Sequence, residues 1–191
     1  STYLLNNQRL KFLHKLTGRK ESGMELAALD EITAACQKMS ETKTGALIVI
    51  AHSSSLEDVI ETGDIIDAKI SRRLIENLFF KNSPLHDGAM VIANDRIVAA
   101  RCTLPISENP NIPAHYGMRH RAATGLSEET DACVIVVSEE TGDISVAVNG
   151  RLQRKVEKGR LREILLDELI EADDSSGNNK FFGRIRKDGR K

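Results

Sequence analysis

The feature that most constrains this chain is a set of short, continuous apolar runs bounded by polar or glycine-containing segments. Gly45 opens one of them, GALIVIA, and an unbroken apolar run of this length is typical of a strand buried on both faces of a sheet. The predicted strands are the run that begins at Gly45, Ala89–Ala93, Ile97–Leu104, Ala132–Val137 and Ile144–Val148, with polar turns at Asn94-Asp95 and Glu139–Asp143.

Apolar residues that recur every three or four positions predict helices between these strands. The predicted helices run from about Gly23 to Ser40, within Asp67–Asn82 after a loop and a cap at Ser71, from Gly117 to Leu126, and from Lys155 to Ala172 with Leu161, Ile164, Leu165 and Leu169 facing inward. Strands and helices together predict an α/β fold with a central, mainly mixed β-sheet flanked by helices.

The length of 191 residues suits one domain with short appendages. We assign residues 1–22 to an N-terminal connector segment, residues 23–172 to the folded domain, and residues 173–191 to a flexible basic tail. The tail carries six basic residues and one acid between Lys180 and Lys191. Charge alone allows such a tail to touch an anionic membrane or a nucleic acid, but a solvated tail is commoner, and we expect no nucleic-acid partner.

The cysteines and the hydropathy pattern limit the cellular compartments in which the chain is expected. Cys36, Cys102 and Cys133 are odd in number, far apart and in apolar surroundings, which argues against a disulfide framework or a zinc site and favours a reducing cytosol. No run approaches the ~18 apolar residues of a transmembrane helix, so we expect a soluble domain. The sequence contains neither a Walker A loop nor a GxGxxG motif, and the common nucleotide-binding folds are therefore not indicated.

Three polar clusters follow or precede the predicted strands, where loops present side chains to ligands. Leu85–Ala89 places a carboxylate beside two very small residues, Gly117–Arg121 places two arginines and a histidine at the start of a helix, and Ser138–Glu140 joins a hydroxyl to two carboxylates. Taken singly, each has a plain structural explanation: a tight turn, a solvated basic face and a charged hairpin turn.

Taken together, the clusters supply the groups that phosphoryl or nucleotidyl transfer requires. Such transfer depends on positioning and charge neutralisation: a carboxylate for a divalent cation, and guanidinium groups with a helix N-terminus for phosphates. His115, beside Tyr116 in the loop before the arginine cluster, is a weaker candidate for ligand contact.

The stretches PLHDGAMVI and GMRHRAATGLSEETDACVIVVSEETGDISVA resemble the diadenylate cyclase (DAC) domain, and in particular the membrane-associated CdaA type of cyclic di-AMP synthase. The similarity runs from about Gly45 to Leu152. It implies the DAC-domain fold for residues 23–172 and a reaction in which the 3′-hydroxyl of one ATP attacks the α-phosphate of another. The attack occurs twice, between two facing protomers, and releases two pyrophosphates.

The resemblance also implies roles for individual residues. Asp87 would help to activate the 3′-hydroxyl with a divalent metal, Mg²⁺, Mn²⁺ or Co²⁺. The implied catalytic residues are Asp87, Gly88, Ala89, Arg119, His120 and Arg121; the implied ATP-binding residues are Thr103, Leu104, Met118, Arg119, His120, Arg121, Ser138, Glu139 and Glu140; the implied metal ligands are His86, Asp87 and Glu140. Some members carry threonine at the position of Met118 and tyrosine at the position of Thr103.

The implied partners are ATP and a second protomer in a catalytic homodimer. CdaA-type relatives carry transmembrane helices ahead of this domain, so a membrane tether and a cytoplasmic location at the inner face of the cell membrane are expected for a longer chain. The alternative is a module that senses ATP or a cyclic dinucleotide without turning it over, which needs the arginines but not the metal-activating carboxylate. A pure interaction domain leaves the three clusters unexplained.

Overall fold

A computed structural model describes residues 24–157 and 159–169, which form one seven-stranded sheet with helices on both faces. The helices are α1 (Leu26–Glu41), α2 (Glu57–Glu61), α3 (Arg72–Leu78), α4 (Met118–Glu129) and α5 (Arg160–Leu169). The strands are β1 (Ala46–Ile50), β2 (Asp64–Lys69), β3 (Ala89–Ala93), β4 (Arg96–Cys102), β5 (Cys133–Val137), β6 (Ile144–Val148) and β7 (Arg151–Gln153).

The strand order is β2-β4-β3-β1-β5-β6-β7, and the sheet is mixed, as the sequence predicts. Strands β1 and β3 are parallel, whereas β1 is antiparallel to β5 and every other neighbouring pair is antiparallel. The turn between β3 and β4 has positive φ at Asn94 and Asp95, which is the backbone of a type I′ hairpin. The parallel pair is important for the site because β1 and β3 begin at the same edge of the sheet.

Both faces of the central strands are covered, which explains why their sequences are continuously apolar. Along β1, Ala46, Ile48 and Ile50 belong to one core cluster, and Leu47 and Val49 belong to the other. Complete burial of one aliphatic side chain of this size contributes about 1.5–3 kcal/mol to stability. The first cluster includes Leu29 of α1, Ile75 of α3 and Leu165 of α5; the second includes Ile60 of α2 and Leu126 of α4.

Two predicted elements need correction. The segment from Asp67 onward was expected to begin as a loop, but Asp67–Lys69 completes the edge strand β2, which pairs with β4 through a bulge. The predicted cap is confirmed, because the Ser71 hydroxyl accepts the Leu74 N–H at 3.2 Å. The final helix does not begin at Lys155: φ is +51° there, and the helix begins at Arg160.

The start of α5 is displaced because the preceding segment is fixed to the sheet. The Val156 N–H donates to the Ile144 carbonyl at 2.8 Å, so residues before Arg160 follow β6 instead of a helical path. Leu161, Leu165 and Leu169 are buried as predicted, and Ile164 packs partly against the same core. Helix α2 and strand β7 have no counterpart among the predicted elements.

Several predictions concern residues that lie outside the described ranges, namely the connector 1–22 and the basic tail 173–191. Within residues 24–157 and 159–169, no helix has both the length and the apolar character needed to cross a bilayer. The three cysteines are free and buried, in agreement with their apolar sequence surroundings.

Candidate functional site

The three polar clusters lie at the same edge of the sheet: the acidic loop precedes β3, the Ser138–Glu140 turn follows β5 with β1 between the two strands, and the arginine cluster begins helix α4. Ile48 of β1 pairs with Met90 of β3 in parallel, and Ala46 of β1 pairs with Val137 of β5 in antiparallel register. Continuing these registers past the strand ends brings Asp87, Gly45 and Ser138 to one edge, with neighbouring strands ~4.8 Å apart. Strand β4 also ends at this edge, since Cys102 pairs with Ala89, so Thr103 and Leu104 emerge beside the acidic loop.

The acidic loop exposes the carboxylate of Asp87. Among the described residues, Asp87 forms no hydrogen bond or ion pair. Gly88 has φ +119°, and a Cβ there would lie 2.8 Å from the Cys102 carbonyl oxygen, so the close approach of β3 to β4 requires glycine. The next side chain, Ala89, is fully buried in the core cluster under α4 and supports the loop from inside.

The preceding histidine is oriented by its own loop. His86 Nδ1 lies 2.6 Å from the Ser83 carbonyl oxygen, and a carbonyl can only accept a hydrogen bond. The Nδ1 atom therefore donates this hydrogen bond, and Nε2 is the ring nitrogen left to face a metal or another ligand.

The first arginine of the second cluster lies between the start of β1 and the third cluster. Gly117 caps α4 with extended backbone, so the first N–H groups of the helix point toward this edge. Arg119 Nη1 lies 3.2 Å from Glu139 Oε1, and its Cζ lies 2.9 Å from the position that a Cβ on Gly45 would occupy. The guanidinium thus lies against the start of β1 and reaches the turn between β5 and β6.

The second arginine does not converge on the same point. Two residues along an α-helix are separated by about 200° around its axis, so Arg119 and Arg121 leave opposite faces. Arg121 Nη2 lies 3.4 Å from the Ile112 carbonyl oxygen, and the Arg121 carbonyl accepts the Ser107 N–H at 3.0 Å. These contacts attach α4 to the preceding loop, and the two guanidinium groups leave opposite faces of α4.

His120 is buried between the two arginines. Its Nδ1 is buried and has no hydrogen-bond partner among the described residues, and the Tyr116 ring approaches its ring edge-on at 4.7 Å between centroids. Burial, and secondarily the Arg119 charge, lower the pKa of His120, while Asp143 partly opposes the shift. The imidazole is therefore neutral at pH 7, and an unpartnered buried polar atom of this kind costs free energy unless a ligand satisfies it.

A cavity of about 450 Å³ lies between the start of α4 and the turn that joins β5 to β6. Of the predicted site residues, its walls contain Met118, Arg119, His120, Ser138, Glu139 and Glu140. The Ser138 hydroxyl accepts the N–H groups of Glu140 and Thr141, both at 3.2 Å, and this fixes the turn. Asp87, Thr103 and Leu104 are not part of the walls; they lie at the same sheet edge on the side of β3 and β4, and Leu104 is buried under α4.

Sequence reasoning missed several wall residues. Thr141, Asp143, Ser145 and Lys155 line the cavity, together with the weakly predicted pair His115 and Tyr116. Thr141 and Asp143 belong to the predicted turn and were recoverable from it. Lys155 had no local signal, because it reaches the cavity through the long-range contact of Val156 with β6.

The predicted metal ligands do not form a closed cage. Within the described part of the chain, no group of three or more histidine, cysteine, aspartate or glutamate side chains is arranged to hold a metal ion. His86 and Asp87 belong to the loop before β3, whereas Glu140 lies on the turn after β5.

Residues 33–152 match the family described as DAC, DisA bacterial checkpoint controller nucleotide-binding. The chain is 44% identical over 161 residues to the cyclic di-AMP synthase CdaA of Bacillus subtilis, covering 84% of this chain and 59% of that protein. The chain thus spans little more than half the length of the first curated relatives that it matches.

Two solved structures are also similar. A crystal structure of a double mutant of DacA from Staphylococcus aureus matches with a TM-score of 0.73 and 44% identity, covering 74% of this chain and 95% of that one. A structure described as a hypothetical membrane spanning protein from Bacillus cereus matches with a TM-score of 0.66 and 43% identity, covering 70% of this chain and 64% of that one.

Proposed function

Since the chain belongs to the DAC family of nucleotide-binding domains, we propose that it is the catalytic domain of a diadenylate cyclase, which converts two ATP molecules into cyclic di-AMP and two pyrophosphates. The relatives named cyclic di-AMP synthase and diadenylate cyclase support this assignment. The observation that carries it is the common sheet edge of Asp87, Gly45 and Ser138, over which Arg119 lies.

The reaction requires a carboxylate near the attacking hydroxyl and a cation near the phosphate. The 3′-oxygen of one ATP forms a bond to the α-phosphorus of the other, the hydroxyl loses its proton, and pyrophosphate leaves with the electrons of the broken P–O bond. Repetition at the second pair of groups closes the ring. The exposed Asp87 carboxylate accepts the proton or orients the hydroxyl, and Arg119 stabilises the negative charge that develops on the phosphate.

The remaining predicted residues are assigned by their positions along the edge. Thr103 and Leu104, beside the acidic loop, contact adenine, and Gly88 and Ala89 shape the backbone against which the nucleotide lies. Met118, His120, Ser138, Glu139 and Glu140 surround the phosphates in the cavity. His120 donates or accepts one hydrogen bond there through its unpartnered Nδ1. Arg121 acts indirectly, by fixing the loop 105–116 through Ile112.

The residues of the site fit a divalent cation, Mg²⁺, Mn²⁺ or Co²⁺, that arrives with the nucleotide. Mg²⁺ is usually held by one or two carboxylates and substrate phosphates, and it does not need a closed protein cage. Asp87 offers a carboxylate without an ion pair and His86 its Nε2 atom, and Glu140 of the cavity wall lies farther along the same sheet edge. When bound, the cation neutralises triphosphate charge and increases the acidity of the attacking hydroxyl.

A second protomer is required by the product. One chain contributes one such edge, and we assign one ATP to it, so a ring of two nucleotides needs two edges that face each other. Specific activity should therefore rise with protein concentration wherever the dimer is weak. We also propose a location at the inner face of the cell membrane in a longer chain, because one solved relative is described as membrane spanning.

Incubation of the protein with ATP and each of the three metals, followed by mass spectrometry, tests the proposal. We expect cyclic di-AMP with two pyrophosphates per product molecule, and a lower specific activity on dilution. Saturable binding of ATP with no cyclic product under any metal would reject the cyclase and favour the sensing module. Constant specific activity down to the monomeric state would reject the two-protomer mechanism alone.

A further inference from the structure

The charged side chains of the cavity walls leave one cationic side chain, that of Lys155, without an ionic partner among the described residues. The walls carry Arg119 and Lys155 against the carboxylates of Glu139, Glu140 and Asp143. Arg119 is already paired with Glu139 at 3.2 Å. Lys155 is exposed and forms no hydrogen bond or ion pair with any residue in 24–157 or 159–169. Among the described wall residues, it is the cation whose charge remains uncompensated by the protein.

The backbone that carries Lys155 is held in an unfavourable conformation. Lys155 has φ +51°, a left-handed value that is uncommon for a residue with a Cβ. It is maintained by the edge strand β7 before it and by the Val156 N–H, which donates to Ile144 at the start of β6. This arrangement directs the connection between β7 and α5 to the edge of the sheet that carries the site.

The order of the strands gives the direction in which a nucleotide would lie. From β4 to β6, the edge presents Thr103 and Leu104, then Asp87, then Gly45 with Arg119, then Ser138, and finally Ile144 with Lys155 nearby. An ATP with its 3′-hydroxyl near Asp87 and its α-phosphate at Arg119 therefore extends its outer phosphates toward β6, since each strand adds ~4.8 Å.

We propose that Lys155 binds the β- and γ-phosphates of ATP, the part of the substrate that leaves as pyrophosphate. This inference rests on the proposed function. It assigns phosphate binding to a residue that lies outside the three polar clusters. An ammonium group is suited to this task because it interacts with any of the phosphate oxygens as a point charge. Lys155 would thus distinguish the triphosphate substrate from the cyclic product, which has no outer phosphates.

Equilibrium binding of 3′-deoxy-ATP and 3′-deoxy-AMP tests this role without turnover, because both lack the attacking hydroxyl. We expect Lys155→Gln to weaken binding of the triphosphate by roughly tenfold and to leave the monophosphate and cyclic di-AMP unchanged. Lys155→Arg should restore most of the loss. Lys43→Gln is the matched control, because Lys43 is also exposed, also has φ +51°, and lies outside the cavity walls.

Two results would overturn the assignment. One is an unchanged preference of Lys155→Gln for triphosphate over monophosphate, and the other is an equal loss for both ligands, which would indicate a general structural effect. Formation of cyclic di-AMP by the unmodified chain is measured in parallel. If that product forms and the preference is unchanged, only the role of Lys155 fails; if no product forms from bound ATP, the proposed function fails independently.

Discussion

The two edges of the sheet use aspartate in opposite ways. At the edge where β1 ends and β5 begins, Asp131 accepts the N–H groups of Ser53 at 3.1 Å and Ser54 at 2.9 Å, and also the Ser53 hydroxyl. Its own N–H donates to the Ser54 hydroxyl at 3.2 Å. At the other edge, the Asp87 carboxylate forms no hydrogen bond or ion pair in the described part of the chain, and the nearby Arg101 guanidinium interacts with it through charge alone.

The difference shows that Asp131 stabilises the fold, whereas the Asp87 carboxylate is available to a ligand. Desolvation opposes ionisation of Asp131, but the hydrogen bonds from Ser53 and Ser54 outweigh it and lower its pKa to about 2. Most of the accepting capacity of that carboxylate is used by the protein itself. Asp87 keeps its capacity for a hydroxyl, a cation or water, as a catalytic group must.

Replacement of Asp87 should have the largest functional effect and almost no structural effect. We expect Asp87→Asn to reduce cyclic di-AMP formation by roughly 10²- to 10⁴-fold, because the amide neither accepts a proton nor carries charge for a cation. The melting temperature and the affinity for 3′-deoxy-ATP in the absence of metal should change little, since Asp87 is exposed and forms no hydrogen bond or ion pair among the described residues.

The matched control is Asp131→Asn, which makes the same chemical change at the opposite edge. It should retain nearly full turnover below its melting temperature. Substantial cyclic di-AMP formation by the Asp87→Asn variant would show that Asp87 is not required for the reaction. It would also show that the aspartates at the two edges do not differ in function.

The fold was largely predictable because its strongest signals are local. The central strands β1, β3 and β5 are short apolar runs rich in valine and isoleucine, which is typical of strands buried on both faces, and their prediction is confirmed. Strand β2 was missed because its stability comes from distant residues. Asp67 has φ +49° and its carboxylate pairs with Arg96 of β4 at 2.7 Å, a contact between residues far apart in the chain.

The site was predictable only in its motifs. Polar clusters at strand ends could be recognised, but the register of β1 with β3 and β5 decides that they share an edge. The divergence of Arg121 follows from helical geometry and was recoverable once α4 was placed. The position of Lys155 was not recoverable. It depends on the hydrogen bond from the Val156 N–H to the Ile144 carbonyl and on a left-handed backbone conformation that the sequence does not indicate.

Removal of the arginine at the site edge should have the next largest effect. Arg119→Ala loses one charge-assisted contact to phosphate, worth about 1.5–3 kcal/mol, so kcat/KM should fall by roughly 10- to 100-fold. The lost ion pair with the exposed Glu139 should cost little stability. Steady-state kinetics of cyclic di-AMP formation measure the loss, and unchanged kinetics would reduce the cluster to a surface feature.

A smaller effect is expected when Arg119 is only displaced. A Cβ on Gly45 would lie 2.9 Å from Arg119 Cζ and 3.1 Å from both terminal nitrogens, all atoms of a flexible side chain. Gly45→Ala should therefore shift the guanidinium and reduce kcat/KM by roughly tenfold or less, with the folded state unharmed. In an Arg119→Ala background the same change should have no further effect; an additive loss would mean that Gly45 acts independently of Arg119.

The smallest expected effect is a change in the free energy of unfolding when Asp131, at the opposite edge, is replaced. Asp131 gains from its depressed pKa a stabilisation that is complete above pH ~4, its unfolded range, and is lost as the pH falls toward about 2. Allowing for screening of a partly exposed carboxylate, this amounts to about 1–2 kcal/mol. The free energy of unfolding of Asp131→Ala should thus lie below that of the unmodified chain at pH 6, and the gap should narrow progressively between pH 4 and pH 2. A gap that is independent of pH would show that Asp131 acts through shape and not through its charge.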